Sequence, residues 1–353
     1  MIRRCALIGM VAWCVAGLVG QLSAQEEEDR RKILVCSTTQ VADFARQVVG
    51  DRMQVLCVLS PGQDPHLYEI KPSDSRLVAQ AASLQGPSVV FTFEPHPASV
   101  LRPQQVSERL VTVDRKLELL EQLGVDVVIV YPTDKQLLEL SAETFFETIV
   151  LSGLDARVIV EGTNFSFGRN REGTIEKLET LCCQHQVQLE LVQPVELDGE
   201  VVSSSRLRRL VSRGDLETVN GMLTRPYRVR ARIQPGAGRG QELGFPTANL
   251  GELMTLLPAD GVYAGCGYID GKSWPAAVNI GGNPTFEDPA AKFEVHLVGF
   301  SGSRYGEMIE IELLTRLRDV RRFEDPGQLR LQIEEDVQQV REVAGAVSGN
   351  LNK

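Results

Sequence analysis

GAGRGQELGFPTAN, residues 236–249, is the most informative stretch of this chain. Its glycines allow the backbone to approach a ligand closely, and successive N–H groups in such a loop can form an anion site. Thr247 and Asn249 stand two residues apart, so in an extended segment their side chains point the same way. Their oxygens suit a polyphosphate that carries Mg²⁺, an ion that prefers oxygen ligands. Taken alone, the glycines would fit an ordinary hairpin turn equally well.

The residues around this stretch alternate between apolar and polar side chains. Alternation occupies four runs, at 227–233, 274–280, 293–297 and 309–313. Period two, interrupted by Gly and Pro turns, predicts an antiparallel sheet or a small barrel. A closing helix is predicted from Asp325-Pro326, a cap followed by a first-turn proline. One face of this helix is apolar and is formed by Leu329, Ile333, Val337, Val340 and Ala344.

Residues 84–223, which precede the barrel, alternate between strands and helices. Such alternation predicts a parallel sheet with helices on both faces. The predicted strands are 88–93, 125–131, 157–161 and 187–192, and the predicted helices are 113–123, 141–151 and 174–184. A further helix is predicted after Ser203-Ser204-Ser205, which offers N-cap chemistry, and it stops at Gly214.

Composition and charge restrict the class of partner. The chain has 353 residues, enough for two or three domains, and a formal net charge of −10. An acidic chain lacks the basic surface of a nucleic-acid binder, so we expect no nucleic-acid partner. The seven cysteines show no Cys-x-x-Cys pair, which indicates buried or incidental thiols. The expected ligands are small molecules, and the sequence leaves the oligomeric state open.

The first 24 residues differ from the rest. Arg3 and Arg4 precede an apolar run, 5–20, and Ala24 offers a small residue for cleavage. This order is typical of a secretory signal, and the run is short for a membrane-spanning helix, so no stable span is expected. A buried N-terminal helix is the alternative interpretation.

Residues 25–83 contain two strand-like runs and then QDPHLYE, residues 63–69. This segment resembles the start of the periplasmic zinc/manganese receptors of metal transporters. The resemblance implies that His66 is a remnant of a metal ligand. A complete site needs three or four convergent ligands, and the later ligands of that family have no counterpart here. A His66 that faces solvent and binds nothing is the favoured interpretation.

Residues 224–344 closely resemble riboflavin kinases. The resemblance rests on GFPTAN at 244–249 and on DGVYA, NIGGNPTF and EVHL at 260–264, 279–286 and 294–297. It implies a small antiparallel barrel that phosphorylates riboflavin with ATP and Mg²⁺ to give FMN. Glu294 would then be the catalytic base, and Thr247 and Asn249 would hold Mg²⁺. The ATP-binding loop would comprise Gly236, Gly238, Arg239 and Gly240.

Residues 84–223 resemble the FMN adenylyltransferase domain of bifunctional riboflavin kinase/FAD synthetases. FTFEPHP at 91–97, GTNFSFG at 162–168 and VSSSRLR at 202–208 carry this resemblance. It implies a Rossmann-like nucleotidyltransferase sheet and a nucleotide loop formed by Ser203, Ser204, Ser205 and Arg208. A plain capped surface helix is the alternative for that loop. The family's opening strand and its two closely spaced histidines are absent, so the first strand is either missing or replaced.

The sequence therefore predicts an α/β domain followed by a β-barrel domain. The expected divisions are 1–24, 25–83, 84–223, 224–344 and a tail, 345–353. The expected activity is that of a riboflavin kinase located in the cytoplasm, with its FMN adenylyltransferase activity lost. The signal-like segment conflicts with that location. The alternative is an exported metal-binding receptor fragment with an inert flavokinase-like tail.

Overall fold

The computed structural model of the chain describes most residues from Val55 onward. The described residues are 55–59, 72–82, 87–95, 97–101, 104, 108–223, 225–235, 239–283 and 288–350. The signal-like segment, His66, Gly236 and Gly238 lie outside them. The described part forms two compact units, with residues up to Glu196 in the first and residues from Leu197, together with 108–112, in the second.

The first unit contains a five-stranded sheet whose strands are all parallel. Its strands are β1 (Val55–Leu59), β2 (Ser88–Glu94), β3 (Val127–Pro132), β4 (Ala156–Gly162) and β5 (Gln188–Val192), in the order β3-β2-β1-β4-β5. The four strands predicted after residue 84 are confirmed, with ends shifted by one or two residues. Their apolar runs follow from burial on both faces of a parallel sheet.

The central strand β1 comes from the segment that resembles a metal receptor. Its backbone pairs with β2 on one side, Leu56 opposite Ser88, and with β4 on the other, Val58 opposite Val160. The first strand of the sheet is therefore replaced and not missing. Without this strand the sheet would be open with an exposed inner edge, whereas β1 pairs with the backbone groups that β2 and β4 turn toward it.

Helices connect these strands as the alternation predicts. They are α1 (Pro72–Ala82), α2 (Pro97–Leu101), α3 (Val113–Gln122), α4 (Lys135–Glu139), α5 (Ala142–Phe145) and α6 (Ile175–His185). The predicted single helix 141–151 differs from the structure, since α5 passes into a π-helix, Phe146–Gly153. The adjacent Phe145 and Phe146, at the junction of the two helices, are both buried in the core of the unit.

The second unit contains a closed six-stranded barrel. Its strands are β8 (Tyr227–Gln234), β9 (Ala248–Gly251), β10 (Gly261–Ile269), β11 (Lys272–Asn283), β12 (Asp288–Leu297) and β13 (Met308–Arg318), in the order β10-β11-β12-β9-β8-β13. It is preceded by short β6 (Glu196–Leu197), short β7 (Glu200–Val201), α7 (Ser204–Val211) and α8 (Leu216–Met222). A short helix α9 (Arg239–Glu242) follows β8.

Two barrel strands were not predicted from the sequence. Strand β10 is buried along nearly its whole length, so both of its faces are covered and its residues do not alternate. Strand β9 has four residues, too few to show a period. The four strands predicted from alternation are confirmed, because each turns alternate apolar side chains into the barrel interior.

The closing helix α10 (Pro326–Asn350) lies on the outside of the barrel. Val337 and Val340 are buried against Ala264 of β10, as the apolar face predicts. A salt bridge between Arg318 Nη2 and Asp336 Oδ2, 2.7 Å long, ties the helix to β13. The helix continues to Asn350, so most of the predicted tail 345–353 is helical.

Asn220 joins α8 to the barrel through three hydrogen bonds. Its Nδ2 donates to the carbonyl oxygens of Leu313 and Leu314, both at 2.9 Å, and its Oδ1 accepts from Tyr227 N at 2.8 Å. A fragment that begins at Met222 loses these bonds, whereas one that begins at Leu197 keeps them. We expect the shorter fragment to be less stable by about 2–4 kcal/mol, since it leaves buried backbone groups unpaired. Denaturant unfolding of the two fragments measures the difference, and equal stabilities would contradict it.

Candidate active site

Glu294 lies in a row of polar side chains that crosses the outer surface of the barrel. Its strand neighbours Phe293 and Val295 are buried in the interior. Glu294 is directly opposite Asn249 of β9 and, on its other side, Asn279 of β11. Residues directly opposite one another in an antiparallel pair project from the same face. The structure therefore brings the predicted base and one predicted Mg²⁺ ligand together, and adds a carboxamide that the sequence analysis left without a role.

Gly240 lies against the segment that carries Thr247. A Cβ atom at residue 240 would meet the Phe245 carbonyl oxygen and would lie 2.9 Å from Thr247 Oγ1. The Phe245 N–H donates to the Gly240 carbonyl over 2.7 Å. Only glycine allows this approach, so the end of the predicted loop borders Thr247. Arg239 begins α9 beside it.

His296 holds the segment that leads into Thr247. Its Nδ1 is 2.8 Å from the Pro246 carbonyl oxygen, a geometry that requires Nδ1–H to donate. Its ring meets Phe245 edge-on, with centroids 5.6 Å apart. The sequence offered no role for this histidine, because its partner is fifty residues away along the chain. His296 therefore fixes the segment that precedes Thr247.

A cavity of about 450 Å³ opens beside Thr247. Barrel side chains, among them Leu250, Val295 and Leu297, form its apolar floor. Its mouth is formed by the loop from Phe300 to Tyr305, in which the Tyr305 side chain is 59% exposed. Apolar and polar groups contribute about equally to its lining, so a ligand could find both burial and hydrogen-bond partners there.

The oxygen donors of this site suit a metal ion that arrives with its ligand. Among the described residues, no group of three or more His, Cys, Asp or Glu side chains could hold a metal ion. Mg²⁺ in nucleotide sites needs only one or two protein oxygens, because phosphates and water complete its shell. The Thr247 hydroxyl and the Asn249 carboxamide fit that requirement.

The predicted nucleotide loop lies at the start of α7 in the second unit. The Ser203 hydroxyl caps this helix by accepting from Arg206 N at 3.2 Å. Ser204 is buried and Ser205 is exposed, and the half-buried Arg208 follows one turn later. The capping role of Ser203 agrees with the alternative of a capped helix, since its hydroxyl already has a partner.

Glu161 is a fully buried carboxyl at the carboxyl end of β4, next to β1. The sheet order changes direction between β1 and β4, which is where open α/β sheets bind ligands. Its Oε2 accepts from Gly162 N at 3.3 Å, and its Oε1 has no hydrogen-bond partner in the described part of the chain. Burial raises the pKa of Glu161 well above its ordinary value, and the Gly162 N–H opposes that rise.

Glu161→Gln is expected to stabilise the chain more at pH 8 than at pH 5.5. The folded-state pKa is raised, so the native carboxyl loses stability as the pH rises from the ordinary carboxyl value toward the folded one. Glutamine does not titrate and escapes this loss. Each kcal/mol gained should raise Tm by about 2–4 °C. Calorimetric unfolding at the two pH values tests this, and a difference that does not depend on pH would contradict it.

Comparison with known families gives three matches along the chain. Residues 75–206 match the FAD synthetase family, residues 223–344 the riboflavin kinase family, and residues 34–85 the zinc-uptake complex component A periplasmic family. The FAD synthetase match begins within α1, ahead of the boundary predicted at residue 84. Within the described residues, no helix is both long and apolar enough to cross a membrane.

Related proteins match most of the chain. A bifunctional riboflavin kinase/FMN adenylyltransferase from Pseudomonas fluorescens is 34% identical over 271 residues, 76% of this chain and 87% of the relative. The protein of that description from Bacillus subtilis is 32% identical over 257 residues, 71% of this chain and 80% of the relative. A crystal structure described as a macrolide-efflux protein from Streptococcus pneumoniae has a TM-score of 0.75 and 27% identity, covering 87% of this chain and 98% of its own. The chain thus carries a riboflavin kinase domain and belongs to the bifunctional riboflavin kinase/FMN adenylyltransferase family.

Proposed function

We propose that the second unit phosphorylates the 5′-hydroxyl of riboflavin with Glu294 as the general base. The observation that carries this proposal is the position of Glu294 directly opposite Asn249, in the outward row of the barrel. The carboxylate would take the hydroxyl proton as the 5′-oxygen bonds to the γ-phosphorus of ATP. The bond from that phosphorus to the bridging oxygen of ADP breaks, and the products are FMN and ADP.

Position and charge account for most of the catalysis in phosphoryl transfer. Thr247 and Asn249 would hold Mg²⁺, which supplies charge neutralisation for the polyphosphate when it is bound. Gly240 and the preceding loop residues would cover the phosphates, since a glycine backbone can approach them closely. His296 fixes the Pro246 carbonyl, and this contact would hold the adjacent Thr247 in place beside the loop. The residues around Thr247 therefore align the phosphates with the base.

The cavity beside Thr247 is the proposed site for the base of the nucleotide. It is contiguous with the Mg²⁺–phosphate residues, because Thr247 forms part of its wall. Its apolar floor and its exposed Tyr305 offer a flat, π-bearing ring both burial and an aromatic neighbour.

The adenylyltransferase activity of the chain is proposed to be lost or very weak. The chain has four histidines, at positions 66, 96, 185 and 296, and no two have the close spacing of the family's catalytic pair. Strand β1 fills the position of the missing strand, but the fragment that supplies it has no such pair. Ser204, Ser205 and Arg208 remain proposed contacts for phosphate at a helix N-terminus.

The proposed location is the cytoplasm, where ATP and flavin metabolism occur. The signal-like first 24 residues point toward export and remain in conflict with this proposal. The rival function, an exported metal receptor, has the resemblance of residues 34–85 in its favour. The described residues add no support for it, since they hold no cluster of metal ligands. Within residues 25–83 of the sequence, His66 is the only histidine.

Purified chain supplied with riboflavin, ATP and Mg²⁺ should produce FMN and ADP, which chromatography detects. Asn249→Ala is expected to raise the Mg²⁺-ATP concentration needed for half-maximal rate by about 10-fold or more, because a metal contact is lost. Its effect on the KM for riboflavin should be small. Lys272→Ala, at an exposed position of β11, serves as the control. If the Asn249→Ala protein reached half-maximal rate at the native Mg²⁺-ATP concentration, the proposed contact between Asn249 and Mg²⁺ would be wrong.

A further inference from the structure

Asn279 occupies an unusual position for an asparagine, since it lies within a long strand of the barrel. Asparagine is depleted in strands. Its neighbours Val278 and Ile280 are buried in the interior, so Asn279 projects outward, where it is half-buried. It is directly opposite Glu294. A carboxamide is thus placed one strand away from the proposed base, on the same face.

The geometry of phosphoryl transfer indicates which part of the acceptor lies on the β11 side of Glu294. The attacking and leaving oxygens lie roughly in line with the phosphorus. Asn249, on the β9 side of Glu294, is assigned to the metal and the phosphates. The hydroxyl must meet Glu294, and its carbon chain must then extend away from the phosphate. That direction leads over β11, toward Asn279.

We propose that Asn279 binds a secondary hydroxyl of the ribityl chain and so determines specificity for a polyol acceptor. This inference rests on the proposed riboflavin kinase function and deepens it. Neighbouring strands are about 4.8 Å apart, a separation that an acceptor chain can span between its terminal hydroxyl and a hydroxyl nearer its middle. A carboxamide both donates and accepts hydrogen bonds, which matches an alcohol group.

The test compares riboflavin with a flavin whose side chain is 5-hydroxypentyl. This analogue keeps the terminal hydroxyl and lacks the three secondary ones. A site built to hydrogen-bond a substrate hydroxyl discriminates against a ligand that lacks it. The native chain should therefore prefer riboflavin in kcat/KM. Asn279→Ala should lower kcat/KM for riboflavin by about 10- to 100-fold, the loss expected for one buried hydrogen bond, and should leave the analogue within about 3-fold.

A second variant and a binding arm separate specificity from structure. Asn279→Thr suits a strand and keeps one hydroxyl, so it should fold well and fall between native and Asn279→Ala for riboflavin. Flavin fluorescence gives Kd for both ligands without turnover, and the same preference should appear there. Lys272→Ala, on the same strand and exposed, should change nothing.

Three results would overturn the inference. The first is an equal loss of kcat/KM for both flavins in Asn279→Ala. The second is an unchanged kcat/KM and Kd for riboflavin in that variant. The third is a native chain that prefers riboflavin neither in kcat/KM nor in Kd. Failure of the proposed function is distinguishable, because it would abolish turnover of both flavins in every variant. The binding arm would then still decide whether Asn279 recognises the side chain.

Discussion

Glu294→Gln is expected to lower kcat for riboflavin phosphorylation by about 10²–10⁴-fold, the usual contribution of a general base. Glutamine keeps the shape of the side chain and its place opposite Asn249 and Asn279, but it cannot accept the proton. The KM for riboflavin should change little, since the loss falls on the transition state and not on substrate binding. Steady-state formation of FMN, measured at saturating ATP and Mg²⁺, gives both constants.

The matched control is Glu335→Gln, which makes the same chemical change on the exposed face of α10. Its kcat should equal that of the native chain. Thermal unfolding of both variants excludes loss of structure as the cause of lost activity. A Glu294→Gln protein that turns over at the native rate would show that another group takes the proton.

The chain is expected to make FMN but little or no FAD. Adenylyl transfer develops negative charge on the α-phosphate and its leaving pyrophosphate, and removal of one donor that meets such charge costs about 10²–10³-fold. Here the two histidines of the family and the turn that joins them are absent together. Ser204, Ser205 and Arg208 remain the proposed phosphate contacts, so weak ATP binding without turnover is the expected remnant.

Purified chain incubated with FMN, ATP and Mg²⁺ provides the test, with FAD followed by chromatography. The rate should be at least two orders of magnitude below that of riboflavin phosphorylation by the same preparation. A full-length relative with both histidines is the positive control. FAD formation at a comparable rate would mean that residues 25–83 supply a catalytic group.

The sequence was most informative where one face of an element is buried and the other is not. The barrel strand that carries Arg228, Arg230 and Arg232 alternates strictly, and its interior residues are buried as predicted. The apolar face of α10 is correct for the same reason. Strand β10, buried on both faces, gave no such signal. The transition from α5 to a π-helix was not predicted either, because local propensity does not distinguish an α-helix from a π-helix.

The sequence by itself determined the two-part architecture and the family, indicated Glu294 as the candidate base, and showed that the histidine pair is absent. These depend on local patterns and on residue identity. Only the tertiary structure decided that β1 enters the centre of the sheet, that His296 fixes Pro246, and that Asn279 lies across from Glu294. Each of these depends on strand pairing or side-chain contact between residues far apart along the chain. Register and closure of a sheet place such residues together, and no local pattern encodes them.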